Sequence, residues 1–269
     1  MKYCLVILLI YGLLGQCIAE ENFEGELTFG VVPQQEAKTI RRLWNPVMER
    51  ISNEIGVRIV LKSADTIGLF QSKMLGGEFD VAYSNPLLYI IANSSIGYKA
   101  VAREQDKKLQ GIIVSRREEK INVLEDLNGK EIVFPEHAFA ATILTQSYLN
   151  SLDIRYQPSF VFSHDAAYKF VALGKYVASG GVLRTFNSLK PAIKSRLRVL
   201  RKFDGVTPHA FSVHPRVSEE TTLKIQQALL NLSSDEEGRK LLKKLRMNRL
   251  GKAQNNDWND VRKVMSPRK

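Results

Sequence analysis

The sequence predicts an α/β protein of two lobes, the second inserted into the first. Three observations carry that prediction. Strand-like and helix-like stretches alternate along nearly the whole chain, the pattern of sheets rich in parallel strands with helices on both faces. The 269 residues suffice for two modest lobes. There is no internal repeat, no low-complexity linker and no break in composition, so nothing divides the chain into separate beads.

Each element follows from a local pattern. Glu26–Val32 (ELTFGVV) reads as the first strand, stopped by Pro33. Ala37–Ile55 reads as a helix because Leu43, Val47, Ile51 and Ile55 recur every fourth residue, and Gly56 closes it. Val57–Lys62 alternates as a strand does. Asp65 or Thr66 caps a helix carrying Leu69, Phe70, Met74 and Leu75, which Gly76-Gly77 ends. Phe79–Tyr83 is a strand; Ser84-Asn85-Pro86 opens the next helix, with proline at its first position. Tyr98–Arg103 and Gln110–Ser115 are strands, the latter carrying the chain into the second lobe.

There, Leu124–Leu127 is a helical turn, and Ile132-Val133-Phe134 a short buried strand that ends at Pro135. Ala141, Leu144, Tyr148 and Leu152 then mark one apolar helix face. Phe160–Phe162 is a strand running into Ser163-His164-Asp165 and a helix to about Leu173. Tyr176–Ala178 is a strand ended by Ser179-Gly180-Gly181, and Arg198–Leu200 is the last strand of this lobe. Ala210–Val213 returns to the first lobe, followed by helices at Ser218–Leu232, Asp235–Leu245 and Asp257–Met265. The crossovers fall near Leu109–Ile112 and Phe203–Thr207, which makes 20–109 with 207–269 one lobe and 110–206 the other.

Residues 1–19 read as a cleavable secretory signal: Lys2 at the start, an apolar core Leu5–Leu14 too short to span a bilayer, and Cys17-Ile18-Ala19 at the cut. Lipidation at Cys17 fits less well, because Gln16 is bulky where a small residue is expected. Both cysteines, Cys4 and Cys17, fall within this segment, so the mature chain needs no disulfide and offers no thiol chemistry. The formal charge is +11, and loss of Lys2 leaves about +10. For an exported chain that surplus fits an anionic small molecule or an anionic membrane surface better than nucleic acid. Much of it, at Arg239-Lys240, Lys243-Lys244, Arg246 and Arg249, reads as a solvated helix face.

Ligands of such sheets bind at the carboxyl ends of strands, beside helix N-termini. Four strand-to-helix junctions meet that description: Ala64–Thr66, Tyr83–Pro86, Pro135–Thr142 and Phe162–Asp165. The third is the most open to an anion, because Ala138, Ala140 and Ala141 leave the first N–H groups of the helix uncovered. Glu136 would repel an anion there and is expected to face solvent. Tyr83 and Tyr89 each follow or flank a buried strand, where core packing competes with pocket lining. Catalysis has no support: no GxSxG elbow, no GxGxxG or GxxxxGK[ST] loop, and no metal-ligand spacing among His137, His164, His209 and His214. No cofactor and no metal are expected.

The chain resembles the phosphate/phosphite/phosphonate-binding periplasmic proteins of ABC importers, within the type II periplasmic binding fold. The resemblance rests on Phe29–Pro33, Asp80–Pro86, Asp126–Lys130 leading to the Pro135–Thr142 loop, and Ser163-His164-Asp165. It implies two lobes, each a mixed, mostly parallel sheet flanked by helices, closing on a small anionic ligand without covalent chemistry. It implies a periplasmic, monomeric protein that delivers its ligand to an ABC permease, or alternatively a sensor of the same fold serving a membrane kinase or cyclase. Carried over by position, its ligand contacts are Thr66, Tyr83-Ser84, the loop Ala140-Ala141-Thr142, His164, Arg184 and His209. Three positions depart from the family pattern. The loop has only Thr142 as a hydroxyl, arginine stands at 184 where an acidic residue is expected, and threonine stands at 66 where a tyrosine is common.

Overall fold

The computed structural model describes residues 25–265. The signal segment with both cysteines, and the Arg268-Lys269 end, lie outside the described residues. The chain builds β1 (Leu27–Val31), α1 (Ala37–Ile55), β2 (Ile59–Lys62), α2 (Ile67–Leu75), β3 (Val81–Ser84), α3 (Pro86–Ser95) and β4 (Lys99–Glu104). It then builds β5 (Gly111–Arg116), β6 (Glu131–Pro135), α4 (Leu144–Ser151), β7 (Gln157–Val161), α5 (His164–Ala172), β8 (Ala178–Val182), α6 (Leu183–Asn187), α7 (Pro191–Lys194) and β9 (Leu197–Lys202). It ends with β10 (Ala210–Val213), α8 (Glu219–Asn231), α9 (Glu236–Lys244), β11 (Leu250–Lys252) and α10 (Asn259–Met265).

Two sheets result, with strand orders β11-β4-β10-β3-β1-β2 and β7-β6-β8-β5-β9. Both are mixed. The strands joined by helical crossovers run parallel, β2-β1-β3 in one sheet and β7-β6-β8 in the other. The strands that enter or leave a sheet at the crossings, β4, β5, β9 and β10, pair antiparallel. The two crossing segments also pair with each other, through an antiparallel bridge between Leu109 and Val206.

Period-two packing explains the second sheet. Ile112, Val114 and Val133 face a core with Tyr168 and Val171 of α5. The intervening Ile113, Ile132 and Phe134 face the opposite core with Leu149 of α4. Strands buried on both faces read as continuous apolar runs. In the first sheet, Phe29 and Val81 pack under α1 through Ile40, Trp44, Val47 and Ile51, and α8 adds Ile225 and Leu229. Gly56 closes α1 with a φ of 73°, its N–H bonded to the Ser52 carbonyl.

Two local readings are corrected. Ser179-Gly180-Gly181 does not end the strand but forms the middle of β8. The glycines are there for close approach: a Cβ on Gly180 would lie 1.9 Å from the Ala141 carbonyl oxygen. The helix after Pro135 also begins differently. Phe139–Ile143 is a π-helical turn, and α4 follows it. The wider turn shifts the phase of the helix, so the buried face of α4 is Thr145 and Leu149. Leu144 and Tyr148 are only half-buried, and Leu152 is exposed. β11 and the short helices α6 and α7 carried no periodic signal long enough to read.

Candidate anion site between the two sheets

Three strand ends and two helix starts bring polar side chains to the boundary between the sheets. Tyr83 and Ser84 end β3. Tyr83 is clamped by aromatic neighbours, with ring centroids 4.8 Å from Trp44 and 4.7 Å from Phe211. His209 stacks on it at 5.0 Å, with the planes 20° apart. The segment carrying His209 is pinned from the far end of the chain. Trp258 donates its indole N–H to the Pro208 carbonyl at 2.8 Å, and Asp260 accepts the Thr207 N–H at 2.8 Å.

His164 occupies the first position of α5, where the Ser163 hydroxyl caps the helix by accepting the Ala166 N–H at 3.2 Å. Arg184 lies in the first turn of α6, directly after β8. The end of β8 is fixed by Tyr168, whose hydroxyl accepts the Val182 N–H at 2.8 Å.

Arg184 crosses from the second sheet to the first. It donates from Nη2 to the Tyr83 hydroxyl at 2.9 Å and from Nη1 to the Glu104 carboxylate at 3.3 Å. Glu104, at the carboxyl end of β4, is 4% exposed. Its other oxygen accepts the Asn248 N–H at 3.1 Å and lies 3.6 Å from Lys107 Nζ. Glu104 carries no motif that marks it in the sequence. Its signal was position, a carboxylate closing a strand next to a crossover, where ligands of such sheets bind.

Beside this pair sit polar atoms with nothing to bond. His164 is 1% exposed, and His209 and Ser84 are 0% exposed. Both ring nitrogens of each histidine and the Ser84 hydroxyl lack a hydrogen-bond partner among the described residues. An unpaired buried polar group costs ~1–3 kcal/mol, so five such atoms at one boundary point to a ligand. Burial holds the His164 pKa down to about 4, with the Arg184 charge adding to the shift. Burial, then Arg184 and His164, push His209 well below the usual value. Both rings are therefore neutral at pH 7, each with one N–H donor and one lone-pair acceptor. Burial raises the Tyr83 phenol and keeps it protonated.

The remaining expected residues fall into two groups. Ala140 and Ala141 are buried at the start of the π turn, and the N–H groups of Phe139, Ala140 and Ala141 have no acceptor among the described residues. The loop packs in one apolar cluster with Tyr83 and Ala210 of the first sheet, which puts it on the boundary. Thr142 is corrected as a hydroxyl donor. Its proton goes to the Pro135 carbonyl at 2.5 Å and its N–H to the Ala138 carbonyl at 3.0 Å. Thr66 caps α2 by accepting the Leu69 N–H at 3.1 Å, and the start of α2 touches His137 of the Pro135–Thr142 loop through Gly68. Tyr89 belongs to the core, 4.5 Å from Trp258. Glu136 is half-buried.

A cleft of about 750 Å³ opens outward from Tyr83 and Arg184. Gln34, Gln35 and Glu36 line one wall, and Asp165 and Lys169 the other. Lys244 and Arg246, read as part of a solvated face, also border it.

The family described as ABC transporter, phosphonate, periplasmic substrate-binding protein matches residues 29–258. The chain belongs to that family. It is a family of substrate-binding transport proteins rather than enzymes. A binding protein component of an ABC phosphonate transporter from Pseudomonas aeruginosa superposes with a TM-score of 0.82 at 14% identity, over 89% of this chain and 85% of that one. A Prochlorococcus marinus protein in complex with methylphosphonate also reaches 0.82, at 17% identity over 89% and 96% of the two chains. These likenesses place the fold among the type II periplasmic binding proteins. The phosphate-import protein PhnD of Mycolicibacterium smegmatis is 23% identical over 128 residues, 44% of this chain. The chain spans 39% of the length of that relative. No helix among the described residues is long and apolar enough to cross a membrane.

Proposed function

We propose that this chain is an exported solute-binding protein that captures a small oxyanion, such as phosphate, phosphite or a phosphonate, between its lobes for an ABC permease. One observation carries the reading: the unpartnered nitrogens of His164 and His209 and the unpartnered Ser84 hydroxyl are buried beside Arg184 at the boundary of the two sheets. Donors come from both sides, Tyr83, Ser84 and His209 from one and His164 and Arg184 from the other, so closure completes the set. The N–H groups at Ala140 and Ala141 add the positive end of a helix.

In this reading residues 1–19 are the signal peptide, and the protein works in the periplasm as a monomer. Residues 20–109 with 207–269 close against 110–206, hinged at the paired crossings. No observation favours the sensory alternative.

A thermal-shift panel of phosphate, phosphite, methylphosphonate, sulfate and acetate tests the reading. A ligand present at about a hundred times its Kd adds ~2.7 kcal/mol of stability by mass action. At least one oxyanion should raise Tm, and His164→Phe should abolish the rise. A panel without any shift would overturn the assignment.

A further inference from the structure

We infer, resting on the oxyanion reading above, that the site takes its ligand singly ionised, with one acid proton still on an oxyanion oxygen, and that this P–OH donates to a ring nitrogen of His164 or His209. Two features of the geometry lead there. The first is charge. The one cation facing the histidines from α6, Arg184, is already bonded to the buried Glu104 of β4. The Tyr83 phenol of β3 stacks on His209, and Asp165 of α5, next to His164 in the chain, faces Glu36 across the cleft. Lys169, Lys244 and Arg246 border the outer cleft, and none is among the charges that act on either ring. Lys107, which also approaches Glu104, is exposed at 44%. Beside the rings themselves, no described cation other than the Glu104-paired Arg184 is placed to hold a second negative charge out of water.

The second feature is the count of acceptors. Each neutral imidazole presents one lone pair, and these have no donor among the described residues. A fully ionised oxyanion brings only acceptors. It would satisfy the N–H groups and leave the lone pairs of both rings facing oxygen. A singly ionised phosphonate brings one O–H, which satisfies one ring lone pair and removes one unpaired buried group. Selection therefore runs against sulfate and sulfonates, which have the right shape but no proton to give at neutral pH.

Isothermal titration of the wild-type protein with methylphosphonate and methanesulfonate tests this without any variant. Above the pH at which methylphosphonate loses its second proton, its Kd should rise about tenfold per pH unit, because only the singly ionised fraction binds. At about pH 8.5, titrations in HEPES, Bicine and Tris should give heats that vary with buffer, reporting about one proton taken up per ligand. Methanesulfonate should bind about 10- to 100-fold more weakly than methylphosphonate near pH 6.

Phosphorus NMR of the bound ligand locates the proton, and its shift should match free singly ionised methylphosphonate. Binding with buffer-independent heats and a constant Kd would overturn the inference and leave the oxyanion function standing. So would a bound ligand with the shift of the doubly ionised form, since the proton would then sit on a histidine. Failure of every oxyanion to bind would remove the function and this inference together.

Discussion

Under the proposed function Arg184 does two jobs with one guanidinium: it bridges the sheets through Tyr83 and Glu104 and turns its remaining N–H groups to the ligand. Replacing Glu104 with Gln separates those jobs. The buried Arg184 loses its counter-charge, so urea denaturation should show a loss of about 3 kcal/mol, the scale for removing one partner of a buried pair. The freed charge should tighten sulfate binding by about 1–2 kcal/mol in a direct titration. Unchanged sulfate affinity would mean that Arg184 does not face the ligand.

The histidines predict a pH dependence with a definite sign. His164 has a folded pKa of about 4, below its ordinary value of 6.5. The unfolded chain therefore binds more protons between those values, and stability falls as pH drops from 6.5 to 4. The contribution is fully present above pH 6.5 and amounts to about 3 kcal/mol. Urea midpoints across that range should fall less steeply in His164→Asn than in the wild type. Parallel curves would show that the ring does not charge on unfolding.

At the scale of elements, the Pro135–Thr142 loop is seated by two contacts that its own composition does not reveal. Gly180 in β8 lets the Ala141 carbonyl lie against the strand. Gly180→Ala should displace the loop and cost several kcal/mol, beyond the ~1–3 kcal/mol of ordinary overpacking, because the clash is with backbone. Gly129→Ala is the control: φ is 72° and nothing lies within 4 Å of the added methyl, so only the backbone cost of ~1–2 kcal/mol applies. Thermal melts of the two variants should differ clearly.

The second contact is the Thr142 hydroxyl, which ties the π turn to Pro135. Thr142→Val should cost about 1 kcal/mol of stability and Thr142→Ser much less. Anion affinity should follow stability only weakly, because the hydroxyl proton is already committed. A large loss of affinity with normal stability would restore Thr142 as a direct ligand.

Across the whole molecule, the paired crossings at Leu109 and Val206 join the sheets covalently and by backbone bonds, while Arg184 joins them across the cleft. Removing the second link while keeping the first should open the molecule. Arg184→Ala should increase the radius of gyration of the ligand-free protein in solution scattering, and it should weaken oxyanion binding by ~2–5 kcal/mol. An unchanged radius would place the closing force in the apolar contacts of Ala138–Ala141 with the first sheet.

The order of strands and helices, and the starts of most helices, are legible in the amino-acid pattern alone. Those signals are local: a period of two or nearly four residues, and caps such as Ser163, Asn85 and Thr66 lying three residues from the N–H they accept. The pattern also placed Tyr83, Ser84 and His164 at junctions that converge, since strand ends and helix starts in such sheets share one side, whereas Arg184 and His209 entered only through the family resemblance. What those residues touch follows from contacts between distant parts of the chain. The Arg184–Glu104 pair spans 80 positions, and neither residue's neighbours in sequence record the other. The phase of α4 turned on a π turn fitted against β8, and the role of Gly180 on a carbonyl 39 residues earlier pressing on it. Such features depend on which distant atoms share a small volume, which local periodicity does not record. They set whether a buried guanidinium or imidazole finds a partner inside the protein.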